Sequence, residues 1–273
     1  MSVAPADLLE PTRRIAEDAG KAVMRAYKAG FTVDRKEDDS PVTAADAAAH
    51  DVIVRALSAL TPDLPIVSEE EELKRWDRRR QWERYWLLDP LDGTREFIRR
   101  NGQFSVNIAL IEDSRPVLGV VHAPTDGRSW FGGPQTGAFR QTADGSRTPL
   151  HTVPADQPPY RVVLGRSRPG PRIRALLESL PEHRVLQCGA SIKICLIAEG
   201  EADLFPRLGP ISEWDLAAAQ AILEAAGGQV LNLKDLSPLR YNQRDTLTLR
   251  DVLAVADPSG DWWQHLDAHA AAK

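Results

Sequence analysis

Two aspartates three residues apart, Asp89 and Asp92, close an apolar run, Tyr85-Trp86-Leu87-Leu88, and Gly93-Thr94 follows at once. The run fits a buried strand, so both carboxylates stand at the end of a rigid element. Between them, Pro90 fixes the backbone and has no N–H to donate. That leaves the Leu91 carbonyl to face the same point as the carboxylates. Hard oxygens of this kind suit magnesium, which keeps several waters and takes few carboxylates. A helix starting near Gly93 and Thr94 presents unpaired N–H groups and the positive end of its dipole to a phosphate oxygen. Gly93 lets an anion come close to the backbone. One turn thus combines metal ligands with an anion cradle. The competing reading is an ordinary strand–turn–helix with Asp92 as its N-cap.

Other acids extend the pattern. Ile66-Val67-Ser68 runs into Glu69 and Glu70, although a run of four acids, Glu69 to Glu72, taken alone reads as a solvated surface. Asp215 stands at a helix start, where an N-cap is the plain alternative. Asp46 falls in the first turn of a helix, a common place for an acid. No Ser, Cys or His stands in a nucleophilic motif: Gly-x-Ser-x-Gly, His-Glu-x-x-His and the P-loop are all missing from the sequence. Direct attack by metal-activated water is what remains. The six histidines show no ligand spacing and read as surface or packing residues. Arg78-Arg79-Arg80 reads as a solvated face. The stretch from Lys36 to Pro41 is either an exposed connection or a flap that completes the metal site.

Alternating strands and helices must hold these groups. Apolar steps of three and four predict a helix over Leu8–Tyr27 and a second over Ala44–Leu60. Strands are expected at Pro65–Ser68, Arg84–Asp89, Ser105–Glu112 and Pro116–His122, with shorter ones at Trp130-Phe131 and Ala138–Arg140. Thr142–Pro159, rich in Pro, Asp and Thr, is the expected boundary between halves 1–150 and 151–273. Beyond it the pattern predicts strands at Arg161–Leu164, Arg184–Gln187, Ala202–Pro206, Gln229–Leu233 and Val252–Ala256. Helices fall at Pro171–Leu180, Ser191–Glu199 and Asp215–Ala226, the last ended by Gly227-Gly228. The fold class is a layered α/β architecture.

Bulk properties narrow the class. The chain has 273 residues, 42% apolar and 27% charged, and so reads as globular. A net charge of -5 argues against a general binder of nucleic-acid polymers, but not against a small anionic ligand, since the local field decides. Cys188 and Cys195, if on one helix, are too far apart to bond and read as reduced core residues. No membrane span and no signal peptide is expected, and cytoplasmic placement is the default.

Asp89-Pro90-Leu91-Asp92-Gly93-Thr94 resembles the signature of the inositol monophosphatase superfamily. The remaining acids fall in its order, from Ser40-Pro41-Val42-Thr43-Ala44-Ala45-Asp46 to Trp214-Asp215. The continuation through Arg95-Glu96-Phe97-Ile98, Phe104 to Ile111, Gly119 to Pro124 and Ser191-Ile192-Lys193-Ile194-Cys195 is similar to the bacterial 3'(2'),5'-bisphosphate nucleotidases. The resemblance implies the αβαβα sugar-phosphatase fold, with a monomer or homodimer as the assembly. It implies two or three magnesium ions held by Glu69, Asp89, the Leu91 carbonyl, Asp92 and Asp215. By the same resemblance Asp46 and Thr94, assisted by Glu70, orient and activate the attacking water. Gly93 and Thr94 hold the phosphate, and Ser191, Lys193 and Arg207 contact the nucleotide and its second phosphate. The implied reaction removes the 3'-phosphate of adenosine 3',5'-bisphosphate, a by-product of sulfate assimilation, and is inhibited by lithium. Gln103 stands where relatives often have Glu. The alternatives are an inositol 1-phosphatase and a silent nucleotide-binding sensor. A fructose 1,6-bisphosphatase is disfavoured because the second half shows no obvious sugar-bisphosphate basic cluster.

Overall fold

The computed structural model describes residues 3–30, 33–35, 41–153 and 158–265. The candidate flap at 36–40 lies outside the described residues. In chain order the elements are α1 (Pro5–Ala29), β1 (Val33–Arg35), β2 (Pro41–Thr43), α2 (Ala44–Leu60), β3 (Ile66–Ser68) and α3 (Trp76–Arg79). Then come β4 (Arg84–Asp92), α4 (Thr94–Ile98), β5 (Ser105–Glu112), β6 (Arg115–Ala123), β7 (Arg128–Gly133), β8 (Gly137–Gln141) and β9 (Arg147–Pro149). The rest are β10 (Tyr160–Leu164), α5 (Pro171–Ser179), β11 (His183–Gln187), α6 (Ile192–Ala198), β12 (Leu204–Ser212), α7 (Ala217–Ala225), β13 (Gln229–Asn232) and β14 (Thr248–Val255).

Beside the β1–β2 ribbon there are two main sheets. The seven-stranded one runs in sequence order from β3 to β9, parallel at β3–β4 and antiparallel elsewhere. The five-stranded one has the order β11-β10-β12-β14-β13. Strand period explains how the first sheet is covered. Trp86 and Leu88 of β4 pack with Leu8, Val23, Ile53 and Leu57 of α1 and α2. Their neighbours Tyr85 and Leu87 point the other way, into a core shared with Ile194 and Cys195 of α6, Ala218 and Ile222 of α7, and Val252 and Ala254 of β14. Tyr160, Leu204, Leu253 and Val255 close the far side of the second sheet against Leu176 of α5. The layers are α1/α2, sheet, α6/α7, sheet, α5, the expected αβαβα arrangement. An apolar run as continuous as Tyr85–Leu88 follows from burial on both faces.

Small residues set how closely α7 lies on the first sheet. A Cβ on Gly119 of β6 would sit 2.0 Å from the Ala218 carbonyl oxygen. That close approach seats the start of α7 on β6, and the Glu213–Asp215 turn just before α7 contacts β4, the strand that carries Asp89.

Several expectations need correction. Arg79 is not on a solvated face: it is fully buried. Its guanidinium donates to the Lys74 carbonyl, the Asn242 side chain and the Asp245 carbonyl, and lies 5.6 Å from the Trp76 ring centre. A planar fork with three acceptors tolerates burial that a bare cation does not. Cys188 and Cys195 are free and buried, but only Cys195 is helical. The second half's β12 runs past Pro206 to Ser212, because it resumes pairing with β14 after an irregularity between Arg207 and Pro210. Asp215 ends a short 3-10 turn, Glu213–Asp215, rather than opening an α-helix.

Candidate metal centre and its cleft

Asp89 is the last β4 residue in regular register: pairing with β5 runs to Asp89–Asn107 and resumes only at Asp92–Ser105. In the irregular stretch the Leu91 N–H donates to Asp89 Oδ1 at 3.0 Å. The Thr94 hydroxyl donates to the Leu91 carbonyl at 3.3 Å. Glu69 follows β3, the parallel neighbour of β4, and its N–H bonds the Leu88 carbonyl at 3.2 Å. Asp215 arrives from α7's side. One carboxylate oxygen each from Glu69, Asp89 and Asp215 lies within 4.8 Å of the other two. The three come from chain positions up to 146 residues apart.

Two of the acids are placed by the same local device. The Asp215 carboxylate accepts the Ser212 N–H at 3.1 Å in a capping box. Asp46 does the same on α2, accepting from the Thr43 N–H at 2.7 Å and the Thr43 hydroxyl at 2.8 Å. Asp92 is not an N-cap. That position belongs to Gly93, whose φ of 87° and ψ of 39° favour glycine. Asp92 Oδ2 instead meets the Ser191 hydroxyl at 2.5 Å and the Asn107 amide at 3.3 Å. Ser191 also accepts from Asn107 at 2.9 Å and lies 2.6 Å from the Asp215 carbonyl. Its single proton serves one of those two acceptors at a time. Ser191 therefore links the two ends of the carboxylate set.

Electrostatics show what the cluster lacks. Burial, then repulsion from Glu69, Asp92 and Asp215, holds the Asp89 carboxyl well above the usual carboxylate range. Burial, then repulsion from Asp92 and Glu69, pushes Asp215 up to about 8. Like charges crowded on one point favour protonation unless a cation compensates them. An all-oxygen donor set of this kind fits a hard divalent ion. Asp46 rises to about 6, mainly through burial, with a contribution from Glu70.

A cleft of about 490 Å³ opens beside the cluster, with Asp92, Gly93, Ser191, Lys193, Arg207 and Asp215 in its lining. The Lys193 ammonium donates to the Ala190 carbonyl, lies 5.4 Å from the Phe205 ring centre and feels Asp215. Arg207 donates to the Pro210 carbonyl at 2.6 Å. Asp46, Glu69, Glu70, Asp89, Leu91 and Thr94 lie outside that lining. The opposite wall was not foreseen: Arg166, Arg168 and Arg172 line it, so the second half does carry a basic cluster. Arg172 pairs with Asp251 at 2.9 Å, while Arg166 donates to Gln103 Oε1 at 2.6 Å. The same oxygen accepts the Gly189 N–H at 2.9 Å, so Gln103 ties two cleft segments together. In sequence the spacing Arg166-x-Arg168 before a proline-rich turn was the available signal.

A model of the inositol monophosphatase family matches residues 5–272. The chain belongs to the inositol monophosphatase family. It is a phosphatase family, and the acidic cluster just described is this member's candidate metal centre. The chain is 46% identical over 233 residues to the 3'(2'),5'-bisphosphate nucleotidase CysQ of Salmonella typhimurium, covering 82% of this chain and 89% of that protein. Against CysQ of Escherichia coli K12 the identity is 43% over 249 residues, covering 88% and 96%. Among solved structures, CysQ from Bacteroides thetaiotaomicron, described as a bacterial member of this family, superposes with a TM-score of 0.78 at 34% identity, covering 90% and 96%. Among the described residues, no helix is long and apolar enough to cross a membrane.

Proposed function

We propose that this chain is a magnesium-dependent 3'(2'),5'-bisphosphate nucleotidase that converts adenosine 3',5'-bisphosphate to AMP and phosphate. The observation that carries the reading is the cleft on the carboxylate cluster. Six basic side chains line it, Arg95, Arg166, Arg168, Arg172, Lys193 and Arg207, against three acidic ones, Asp92, Glu96 and Asp215. A substrate with one phosphate at the cluster and a second further out suits that charge distribution, and Leu164, Ile173 and Leu208 offer apolar surface to a base. The nucleotidase relatives at 43–46% identity support the same choice.

In this reading Glu69, Asp89, the Leu91 carbonyl, Asp92 and Asp215 hold two or three magnesium ions. When bound, magnesium lowers the pKa of a coordinated water and offsets charge on the leaving oxygen. Gly93 and Thr94 hold the scissile phosphate. Asp46 is the group that accepts the proton of the attacking water, with Thr94 orienting that water and Glu70 assisting. Ser191 holds Asp92 through its hydroxyl, and Ser191, Lys193 and Arg207 meet the nucleotide and the phosphate that stays. The site draws on both halves, 1–150 for most ligands and 151–273 for Asp215 and the basic wall. Action in the cytoplasm, on a by-product of sulfate assimilation, belongs to the same proposal, as does inhibition by lithium.

A phosphate-release screen tests it. Nucleotide bisphosphates, inositol 1-phosphate and fructose 1,6-bisphosphate are compared with magnesium, with excess chelator, and with lithium added. The expected result is magnesium-dependent release from adenosine 3',5'-bisphosphate above all others. Full activity in chelator removes the metal reading, and preference for a sugar phosphate removes the nucleotidase reading.

A further inference from the structure

His50 lies four residues beyond Asp46 on α2, so the two side chains share a helix face. Its Nδ1 is 2.9 Å from Ser68 Oγ, and its Nε2 is 3.4 Å from a carboxylate oxygen of Glu71. Ser68 is buried and is the last residue of β3, where the chain enters the acidic turn. Its Oγ accepts the Glu70 N–H at 3.3 Å. One assignment of protons satisfies every member. The Glu70 N–H donates to Ser68 Oγ, the Ser68 hydroxyl can donate to Nδ1, and Nε2 faces the Glu71 carboxylate. Both ring nitrogens thus have a partner, Ser68 at Nδ1 and Glu71 at Nε2.

The chain of bonds brackets Glu69 and Glu70. It grips the turn through Ser68 on one side and through Glu71 on the other, and it anchors both to the helix that carries Asp46. Strand β3 is only three residues long and is the edge strand of its sheet, paired with β4 alone. The Glu69 and Glu71 N–H groups bond the Leu88 and Ser68 carbonyls, and a side-chain tie joins the turn to α2. The His50 imidazole supplies that contact from α2.

We infer that His50 is a positioning residue for the metal centre: acting through Ser68, it sets where Glu69 and Glu70 stand relative to Asp46. Its consequence is read in magnesium affinity rather than in substrate binding. The inference rests on the metal reading proposed above.

The test uses the full chain and exploits two replacements that each keep half of the imidazole. Asn places an acceptor where Nδ1 was and keeps the Ser68 link. Gln places a donor where Nε2 was and keeps only the Glu71 link. Magnesium is titrated while the melting temperature is followed, and kcat and KM for adenosine 3',5'-bisphosphate are measured at each magnesium concentration. Melting in chelator reports separately on folding.

In His50→Gln and in Ser68→Ala the half-saturating magnesium concentration is expected to rise about ten-fold. KM for the nucleotide at saturating magnesium stays within about two-fold of wild type. His50→Asn rescues the magnesium response, and the double variant Ser68→Ala/His50→Gln is no worse than either single one, because both break the same link. Wild-type magnesium affinity in His50→Gln and Ser68→Ala overturns the inference and leaves His50 a packing residue. So does equal impairment in His50→Asn and His50→Gln. A wild-type protein whose melting and activity ignore magnesium overturns the metal reading itself, and the inference with it.

Discussion

Replacing Asp215 by Asn separates the cost of the carboxylate cluster from its use. One oxygen from Asp215 lies within 4.8 Å of oxygens of both Glu69 and Asp89. Two unit charges at that distance repel by about 3.5 kcal/mol at an effective dielectric constant of about 20. With burial and repulsion pushing the Asp215 carboxyl from 3.8 to about 8, the sign follows directly. Over this interval the native state keeps a proton that the unfolded chain has lost, so stability without metal falls as pH rises from about 4 to about 8. The interval caps that loss at about 6 kcal/mol. Asn keeps an oxygen for the Ser212 N–H but removes the charge. A gain of about 2 kcal/mol at pH 9, roughly half of one pairwise repulsion, corresponds to about 4–8 °C in melting temperature for a chain of this size. The assay is scanning calorimetry at pH 6 and pH 9, in chelator and then in excess magnesium. In chelator the variant should melt higher than wild type at pH 9, with the gap closing at pH 6. Magnesium should raise the wild type and leave the variant where it was, with activity lost. A variant that melts below wild type in chelator at pH 9, or that gains as much from magnesium, refutes the reasoning.

Asp92→Asn keeps the shape that meets Ser191 and Asn107 and should stay folded by circular dichroism while phosphate release falls to a trace. Lys193→Ala should lower kcat/KM for adenosine 3',5'-bisphosphate by about ten-fold to a hundred-fold, because a charge-assisted bond contributes roughly 1.5–3 kcal/mol. The same variant should change adenosine 3'-monophosphate far less, and an equal fall on both substrates would assign Lys193 to the scaffold. Gly119→Ala forces a Cβ against the Ala218 carbonyl oxygen, 2.0 Å away. With backbone on both sides it should cost about 3 kcal/mol in denaturant unfolding, and a loss under about 1 kcal/mol would mean that α7 can move off the sheet.

Much of this was legible from residue order. Helix α2 and strand β5 have the bounds their apolar periodicity predicts, because each has one dominant pattern and a sharp terminator. Glu69, Asp89 and Asp215 could be proposed as a group only through the superfamily resemblance, since Glu69 and Asp215 taken alone read as a solvated surface and an N-cap, and the fold brings the three to one point. What the sequence hid was mostly polar and non-local. Asn107 reads as one polar residue inside an apolar strand, and only the register opposite Asp89 puts it between Asp92 and Ser191. His50 reads as a helix-surface residue, because its partners Ser68 and Glu71 are about twenty residues away in sequence. Arg79 hid in a basic run whose neighbours, Arg78 and Arg80, are exposed. Of the cleft-wall arginines, Arg166 and Arg168 lie in a proline-rich connection that carries no periodic signal, and Arg172 stands in the first turn of α5. A period locates a buried face, but a hydrogen-bond partner across the fold leaves no mark in local sequence.

The central claim is that the carboxylate cluster and the basic cleft together select a nucleotide bearing two phosphates. The direct measurement is kcat/KM of the wild-type chain, with magnesium, for adenosine 3',5'-bisphosphate and for inositol 1-phosphate, with the nucleotide product identified chromatographically. The account predicts that the bisphosphate is preferred by at least about a hundred-fold, as two charge-assisted contacts to its second phosphate imply, and that the product is AMP. Equal or better hydrolysis of inositol 1-phosphate, or release of the 5'-phosphate in place of the 3', would contradict it.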